Sequence, residues 1–323
     1  MNMRAATFKP RTLARCVFAT AVGLSLGQSP GCAQAAGLSA DSDILGIKLT
    51  MSRDQAKKIV ADSFPGARII ELSAQIGTPA YKKSTTLGFI ADITSAPNQA
   101  NNQRQAQQAD AEFRAKQNAG WGNSPLNQSV VNPGDYGRDA VAVIYDPSDS
   151  GSGIFSISRV KTFAKSEFIP PKALLDTFDR KYGAPSRVND KSITWTAPGV
   201  LQHAPSSAKW CYLDFGGSFL YEHVDERIFD GRFANTIISQ VNEQFVRVLS
   251  NLKNYDRSHC GTVLQLMLTL SDDRAYAVGM SETLIDLTRG YAELKAFADD
   301  FWAHANAARQ DQLQKASQNK PRL

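Results

Sequence analysis

The chain has 323 residues, of which 42% are hydrophobic and 21% are charged, values that are ordinary for a globular protein. Its length is sufficient for about two domains of 100–200 residues each. The formal net charge of +5 arises from 36 basic and 31 acidic residues, and four of the basic residues lie within the first 15 positions. The remainder of the chain is close to neutral, which gives no reason to expect a nucleic-acid-binding protein.

The first 35 residues have the pattern of a cleavable signal peptide. The start of the chain is basic and contains Arg4, Lys9, Arg11 and Arg15. An apolar stretch follows over residues 16–26, too short for a membrane span, which takes about 20 residues. The pattern therefore predicts export through a bacterial-type inner membrane.

Small residues at the end of this leader predict cleavage between Ala35 and Ala36. Lipid attachment at Cys32 is the alternative. The residues that precede Cys32 favour lipid attachment less than they favour cleavage after Ala35. Cleavage removes four basic residues and no acidic residue, so the mature chain carries a net charge of +1. We expect a periplasmic or secreted protein with no transmembrane span in the mature chain.

Cleavage also leaves two of the four cysteines, Cys211 and Cys260. Two cysteines in an oxidising compartment are expected to pair with each other. The disulfide would close a loop of about 50 residues and stabilise the fold by about 4 kcal/mol in the chain-entropy model. A metal or redox site is the competing interpretation, and the absence of a CxxC motif weakens it.

Residues 36–138 are predicted to form an N-terminal α+β half. After a linker over 36–46, Ser52 and Gln55 have the spacing of a capping box. They predict a helix that ends at Phe64-Pro65-Gly66. Alternating apolar segments over 68–72 and 86–94 predict two strands.

The segment 96–138 is rich in Asn and Gln and is expected to be a flexible insertion. Its first part has the pattern of a polar surface helix, and the rest is typical of a long loop. Long loops are tolerated because their closure entropy grows slowly with length. A partner-binding segment anchored by Trp121 is the alternative.

Residues 139–310 are predicted to form a C-terminal α+β domain. Expected strands cover residues 139–146, 154–163, 192–196, 209–215 and 262–270. One expected helix covers residues 170–181 and ends before Gly183. A second expected helix covers residues 235–252. A further strand over 275–280 is followed by a long amphipathic helix capped by Ser281. Residues 311–323 form a polar tail that is expected to fray.

The predicted fold class is α+β, with small antiparallel sheets packed against helices. The chain is expected to hold two diverged halves, each a helix beside a small sheet, and to end in the long C-terminal helix.

Two short motifs resemble those of a known family. The stretch 46–52, followed by Gln55-Ala56, resembles a helix entrance that is common in small bacterial envelope proteins, among them the small lipoprotein of the outer-membrane β-barrel assembly machinery. The stretch 182–186, Tyr-Gly-Ala-Pro-Ser, is similar to the turn of that family. Thr50 replaces the usual glycine. The resemblance implies a non-enzymatic role in the envelope and carries over no functional residue.

The sequence contains no recognisable catalytic constellation. The four histidines are His203, His223, His259 and His304. None of them has another potential metal ligand at the spacing that a metal site requires. The densest titratable cluster surrounds His223, Asp225 and Glu226. S-x-x-K occurs three times, at Ser158, Ser206 and Ser250, without the further motifs of serine acyl-enzymes. We expect no catalytic residue, no metal and no cofactor.

These observations favour an exported, non-catalytic protein that binds or helps to assemble another envelope component. The expected partner is another envelope protein. Two alternatives remain open. One is a periplasmic hydrolase with an unrecognised site near His223. The other is a secreted inhibitor or ligand carrier, for which the only support is fold-level analogy.

Overall fold

The computed structural model describes residues 38–39, 41–100, 104, 137–147, 153–188, 192–197, 249 and 260–318. These residues belong to one compact unit. The predicted signal peptide, its cleavage position at Ala35 and Ala36, and Trp121 lie outside the described residues. So do Cys211 and the cluster around His223.

The described chain opens with a small hairpin that leads into the first helix. Strands β1 (Asp43–Ile44) and β2 (Ile47–Lys48) pair antiparallel. Leu45 and Gly46 join them, and both have positive φ, as a two-residue hairpin turn requires. The sequence predicted a linker here, and that prediction was wrong for β1 because the Leu45-Gly46 turn was not recognised.

Helix α1 (Arg53–Ser63) begins at the predicted capping box. The backbone N–H of Gln55 donates to Ser52 Oγ over 3.3 Å, and the backbone N–H of Ser52 donates to Gln55 Oε1 over 2.8 Å. Two of the N–H groups that a helix start leaves unpaired are thereby satisfied. The predicted roles of Ser52 and Gln55 are confirmed.

Four strands follow α1 as an antiparallel meander. They are β3 (Arg68–Gly77), β4 (Lys82–Asp92), β5 (Asp139–Tyr145) and β6 (Ile154–Thr162). All four were predicted, and β3 and β4 extend further toward their shared turn than the sequence indicated. The segment 93–138 connects β4 to β5.

The second half repeats this order of elements. A short 3-10 turn (Lys165–Glu167) leads to helix α2 (Pro171–Tyr182), which ends at Gly183 with φ of 81°. The next four strands are β7 (Arg187–Val188), β8 (Ile193–Thr196), β9 (Thr262–Leu270) and β10 (Ala277–Asp286). The segment 197–261 connects β8 to β9. Helix α3 (Leu287–Gln318) ends the described chain.

The two meanders form one eight-stranded sheet. Its strand order is β3-β4-β5-β6-β10-β9-β8-β7, so the last strand of each meander pairs with the last strand of the other. We call the antiparallel β6–β10 contact the seam. The topology therefore has an approximate two-fold symmetry about the seam, and the two long connections occupy the same position in each half.

The sheet carries a core on each face. On the first face α1 and α2 cover an apolar layer that runs from Phe89 through Ile157 to Trp195. On the second face the buried residues of α3 pack with Leu72, Ile90 and Ala142 among others, and Leu249, from the β8–β9 connection, belongs to the same cluster. Leu287, at the start of α3, packs with Val263 and Ile285 of the second meander. Three layers result, with the sheet in the middle.

The boundary between β10 and α3 differs from the prediction. Ser281 was expected to cap the last helix, whereas Ser281 lies within β10 and pairs across both neighbouring strands. The cap is Asp286, whose Oδ1 accepts the backbone N–H of Arg289 over 2.9 Å. The prediction was wrong because Leu284 fits a helical stripe and a buried strand equally well.

The two predicted halves are present, but as parts of one sheet. The boundary predicted between residues 138 and 139 falls between β4 and β5, which are hydrogen-bonded neighbours. Repetition of the elements places the division after β6 instead. The predicted tail also begins later, since α3 continues to Gln318.

Candidate functional site

The first face of the seam holds a buried cluster of charges. Arg159 on β6 lies directly opposite Glu282 on β10. The Arg159 guanidinium donates to both carboxylate oxygens of Asp139 over 2.9 and 2.6 Å, and its Nη1 reaches Glu282 Oε1 over 3.5 Å. We call these three residues the seam cluster. Their side chains are 17%, 13% and 8% exposed, so the pairing takes place largely out of water.

The two carboxyl groups of the seam cluster are not paired equally well with Arg159. Burial raises the pKa of Glu282, and the nearby Arg159 only partly opposes that effect. Arg159 makes its short, bidentate bonds to Asp139 instead. The cluster therefore joins a tightly paired Asp139–Arg159 unit to a buried carboxyl group that tends toward its neutral form.

Polar contacts join the two first-face helices to strands β1 and β3. At the end of α2, Lys181 Nζ donates to Asp43 Oδ1 over 3.2 Å, and Tyr182 Oη donates to the Asp43 carbonyl over 2.8 Å. Along α1, Arg53 and Lys57 both bind Glu71.

Two opposing effects act on the pKa of Glu71, which is the carboxyl group of the α1 pairs. Partial burial acts to raise its pKa, but the hydrogen bonds from Lys57 and Arg53 outweigh that effect and lower it. These charged side chains are thus engaged with one another, as structural ion pairs are.

The second face of the seam is lined by small hydroxyl side chains. Register places Ser158 opposite Thr283, and Gln265 on β9 lies between Thr283 and Thr194. Ser156 and Ser281 occupy the adjoining rows of the same face. We call these five Ser and Thr residues the hydroxyl patch. All five are buried.

The hydrogen bonding of the hydroxyl patch is incomplete. Ser158 Oγ and Thr283 Oγ1 bond to each other over 3.0 Å. Ser156 is 0% exposed, and its Oγ has no hydrogen-bond partner. A buried hydroxyl without a partner costs free energy, so such groups usually receive a bond from protein, water or ligand.

The first turns of α3 form an acidic cluster at one end of the sheet. Glu293 pairs with Arg289, whose Nε lies 3.4 Å from Glu293 Oε1. Burial raises the pKa of Glu293 to about 7; Arg289 opposes this shift, and the nearby Asp146 and Asp286 add to it. Arg289 Nη2 also donates to the Leu49 carbonyl over 2.9 Å, which ties α3 to the segment before α1.

The far end of α3 extends beyond the layers that bury it. Ala305 is its last buried residue, and from 306 to 318 every residue except the intermediate Ala308 is exposed. We call residues 306–318 the overhang, which is about 20 Å long at 1.5 Å per residue. It includes Leu313, 54% exposed.

Aromatic side chains surround the point where the overhang leaves the sheet. Tyr81, in the β3–β4 turn, packs against Phe301 and stacks on His304 with ring centroids 5.5 and 5.7 Å away. Trp302 is 43% exposed and meets Phe301 edge-on. This is the largest exposed aromatic side chain of the described helices.

Most other predicted site residues are either unconnected or outside the described ranges. His304 contacts Asp300 on its own helix. Ser158 and Lys161 are three residues apart on β6, so they point to opposite faces and cannot act together. In the described ranges, no three Asp, Glu, His or Cys side chains are grouped as metal ligands.

Cys260 is fully buried and packs with Val263, Ile285 and Leu287. It is disulfide-bonded, and it is the only cysteine within the described ranges. Since Cys211 lies outside those ranges, the Cys211–Cys260 pairing stays a prediction.

The three residues of the seam cluster were not identified from the sequence as candidates. Arg159 stands in an alternating strand, where a charged residue is usually assigned to the solvent face. Glu282 was assigned to a helix. A buried pair across β6 and β10 depends on register between strands over a hundred residues apart, which local patterns do not contain.

Comparison of the chain with protein-family models, with curated proteins and with solved structures finds no match. Within the described ranges, no helix combines the length and the apolar composition that a membrane crossing requires.

Proposed function

We propose that this is an exported, non-catalytic protein that binds or helps to assemble another component of the bacterial cell envelope. The basic start, apolar stretch and small residues of positions 1–35 support export to the periplasm or beyond. The internal pairing of the charged clusters supports a structural rather than catalytic use of those groups.

The observation that carries this proposal is the overhang of α3. Helical segments of about 13 residues are only marginally stable in water when nothing packs against them, because local interactions alone contribute too little free energy. The overhang packs on no other element of the described chain, yet it presents Leu313 and continues from the exposed Trp302. A helix surface of this kind fits a protein partner that covers an apolar side chain.

Site-specific photocrosslinking in intact cells tests the proposal. A photoreactive residue at Leu313 should give a defined crosslinked product, identified by mass spectrometry as another envelope protein. Lys172, on exposed helix α2 with 83% of its side chain accessible, is the matched control position. Equal labelling from both positions, or none from Leu313, would contradict the proposal.

Export is tested separately by fractionation. The native protein is expected in the periplasmic or secreted fraction, with Ala36 as its N-terminal residue. Recovery from the cytosol with Met1 attached would overturn the assignment to the envelope.

Ligand carriage is a second candidate, and fold-level analogy is its only support. The third candidate, a hydrolase near His223, concerns residues outside the described ranges and gains no support from the described ones.

A further inference from the structure

We propose that Glu293, Arg289 and the Leu49 carbonyl form a pH-dependent latch, which holds the start of α3 to the segment before α1 while Glu293 is protonated and loosens when Glu293 ionises. The latch is a property of the folded chain itself. It does not depend on export or on a partner, although α3 is also the helix that carries the overhang.

Arg289 joins the two helical layers around one end of the sheet. It lies in the first turn of α3, which packs on the second face, whereas Leu49 is buried in the core of the first face. Arg289 Nη2 donates to the Leu49 carbonyl over 2.9 Å. Two residues further on, the Met51 carbonyl accepts the backbone N–H of Ile154 over 3.3 Å. The segment before α1 is thus attached to β6 and, through Arg289, to α3.

Glu293 is buried beside this contact without a hydrogen bond of its own. Its side chain is 16% exposed, and its Oε2 is buried with no hydrogen-bond partner among the described residues. Arg289 Nε lies 3.4 Å from Glu293 Oε1, yet it too is without a hydrogen bond in the described ranges. A carboxylate that has lost water and receives no donor is costly to form, so this geometry favours the protonated group. Burial correspondingly raises the pKa of Glu293 to about 7.

The charges that face Glu293 come from three elements. Arg289 lies one turn earlier on α3, Asp286 ends β10, and Asp146 follows β5. From β6 and from the segment before α1, the described contacts with this part of α3 are an aromatic ring and a backbone carbonyl. While Glu293 is protonated, two carboxylates and one guanidinium give the cluster a net charge of −1. Ionisation adds a third carboxylate, and the net charge becomes −2.

Ionisation of Glu293 therefore changes what Arg289 binds, and the released proton passes to water. A guanidinium binds a carboxylate more strongly than a neutral carbonyl group, so ionised Glu293 draws Arg289 away from Leu49. The new charge also repels Asp286, which caps α3 by accepting the backbone N–H of Arg289. Both effects loosen the first turn of α3 and its attachment to the segment before α1.

Hydrogen–deuterium exchange of the purified native protein, followed by mass spectrometry at pH 5.5 and pH 8.5, tests the latch. After correction for the intrinsic exchange rate, peptides covering residues 47–53 and 287–294 should exchange about tenfold faster at pH 8.5. Peptides from β4 and β9, which are paired on both sides, should change much less. Equal acceleration in all peptides would indicate global destabilisation alone and would overturn the proposal, as would the absence of any acceleration.

Matched variants assign the effect to the latch. Glu293→Gln keeps the shape of the protonated carboxyl and should give slow exchange at both pH values. Asp299→Asn, at an exposed position on the same helix, is the control and should keep the wild-type dependence. A pH dependence that persists in Glu293→Gln would overturn the proposal.

Arg289→Gln is a second variant that does not rely on titration. It removes the bond to the Leu49 carbonyl and should give fast exchange of residues 47–53 at both pH values. Slow exchange in this variant at pH 5.5 would show that Arg289 does not hold the segment, and the proposal would fail. Crosslinking from Leu313 is unaffected by these results, so failure of the latch is distinguishable from failure of the envelope-binding function.

Discussion

Arg159 is the residue on which the first face of the seam depends. It contacts two carboxyl groups that are 13% and 8% exposed, and it binds Asp139 at two points. Removal of one partner from a buried ion pair is strongly destabilising, because the remaining charge loses both water and its counter-charge.

Arg159→Leu is therefore expected to lower the free energy of unfolding by about 3–5 kcal/mol. Glu282→Gln should change it by less than about 1 kcal/mol, because burial already favours the neutral carboxyl and Arg159 keeps Asp139. Urea denaturation at pH 7 measures both. Equal losses in the two variants would show that Glu282, not Asp139, is the main partner of Arg159.

Glu293 gives stability a pH dependence of known sign. Its pKa rises from 4.5 to about 7 on folding, chiefly through burial. Between these values the folded state binds more protons than the unfolded state, so the free energy of unfolding falls as the pH increases. The side chain is 16% exposed, and with solvent screening the loss is about 2 kcal/mol.

Glu293→Gln removes this titration. Between pH 5 and pH 8 the wild-type protein should lose about 2 kcal/mol more than the variant, as measured by chemical denaturation at each pH. Asp299→Asn, at an exposed position that pairs with Lys295, serves as the control and should follow the wild-type profile. Identical profiles for the wild type and Glu293→Gln would contradict the buried, raised-pKa state of this carboxyl.

At the scale of elements, α3 combines a buried half and an exposed half in one helix. Phe301 is 1% exposed on the second face, whereas Leu313 is 54% exposed in the overhang. Gly290 allows a close approach at the start of the helix, where a Cβ would lie 2.7 Å from Phe155 Cδ2. Stability is therefore concentrated before residue 306.

Alanine substitutions at these two positions should separate the halves. Phe301→Ala is expected to cost about 3–5 kcal/mol, and Leu313→Ala less than about 0.5 kcal/mol. Thermal unfolding followed by circular dichroism measures both. A large loss for Leu313→Ala would mean that the overhang packs within the protein and is not available to a partner.

Sequence patterns predicted the elements well where one local rule decides the structure. The capping box at Ser52 gave the start of α1, the apolar run over residues 139–146 gave β5, and alternation over residues 154–163 gave β6. Patterns failed where two structures share one signal, as at residues 281–285, which are buried on both faces within β10. The β1–β2 hairpin was missed because its turn contains Leu45 in a conformation that leucine rarely adopts.

At the scale of the whole molecule, the two halves were predictable but their union was not. Repetition of a helix and following strands is visible in the sequence, and each helix has an aromatic residue at its end, Phe64 directly after α1 and Tyr182 as the last residue of α2. The seam requires the register of β6 on β10, which no local pattern encodes. The candidate sites on both faces of the seam therefore emerge only from the assembled sheet.

The disulfide is the remaining prediction at this scale. Non-reducing peptide mapping of exported protein should yield one crosslinked peptide containing Cys211 and Cys260, with stabilisation of about 4 kcal/mol relative to the Cys211→Ser, Cys260→Ser double variant. Free alkylation of both thiols in the native protein would refute the pairing. The disulfide would link the β8–β9 connection to Cys260, which packs against Leu287 at the start of α3.

The two long connections, 93–138 and 197–261, leave the sheet at the same step of each meander, and the antiparallel seam places them at opposite ends of the strands. Closure entropy grows slowly with loop length, so insertions in these connections are expected to cost little as long as their anchored residues are kept. Leu249, within 197–261, packs into the core on the second face of the sheet. Replacement of the 93–138 connection is therefore expected to disturb the sheet less than replacement of 197–261, which makes the first connection the better position for displaying a foreign loop.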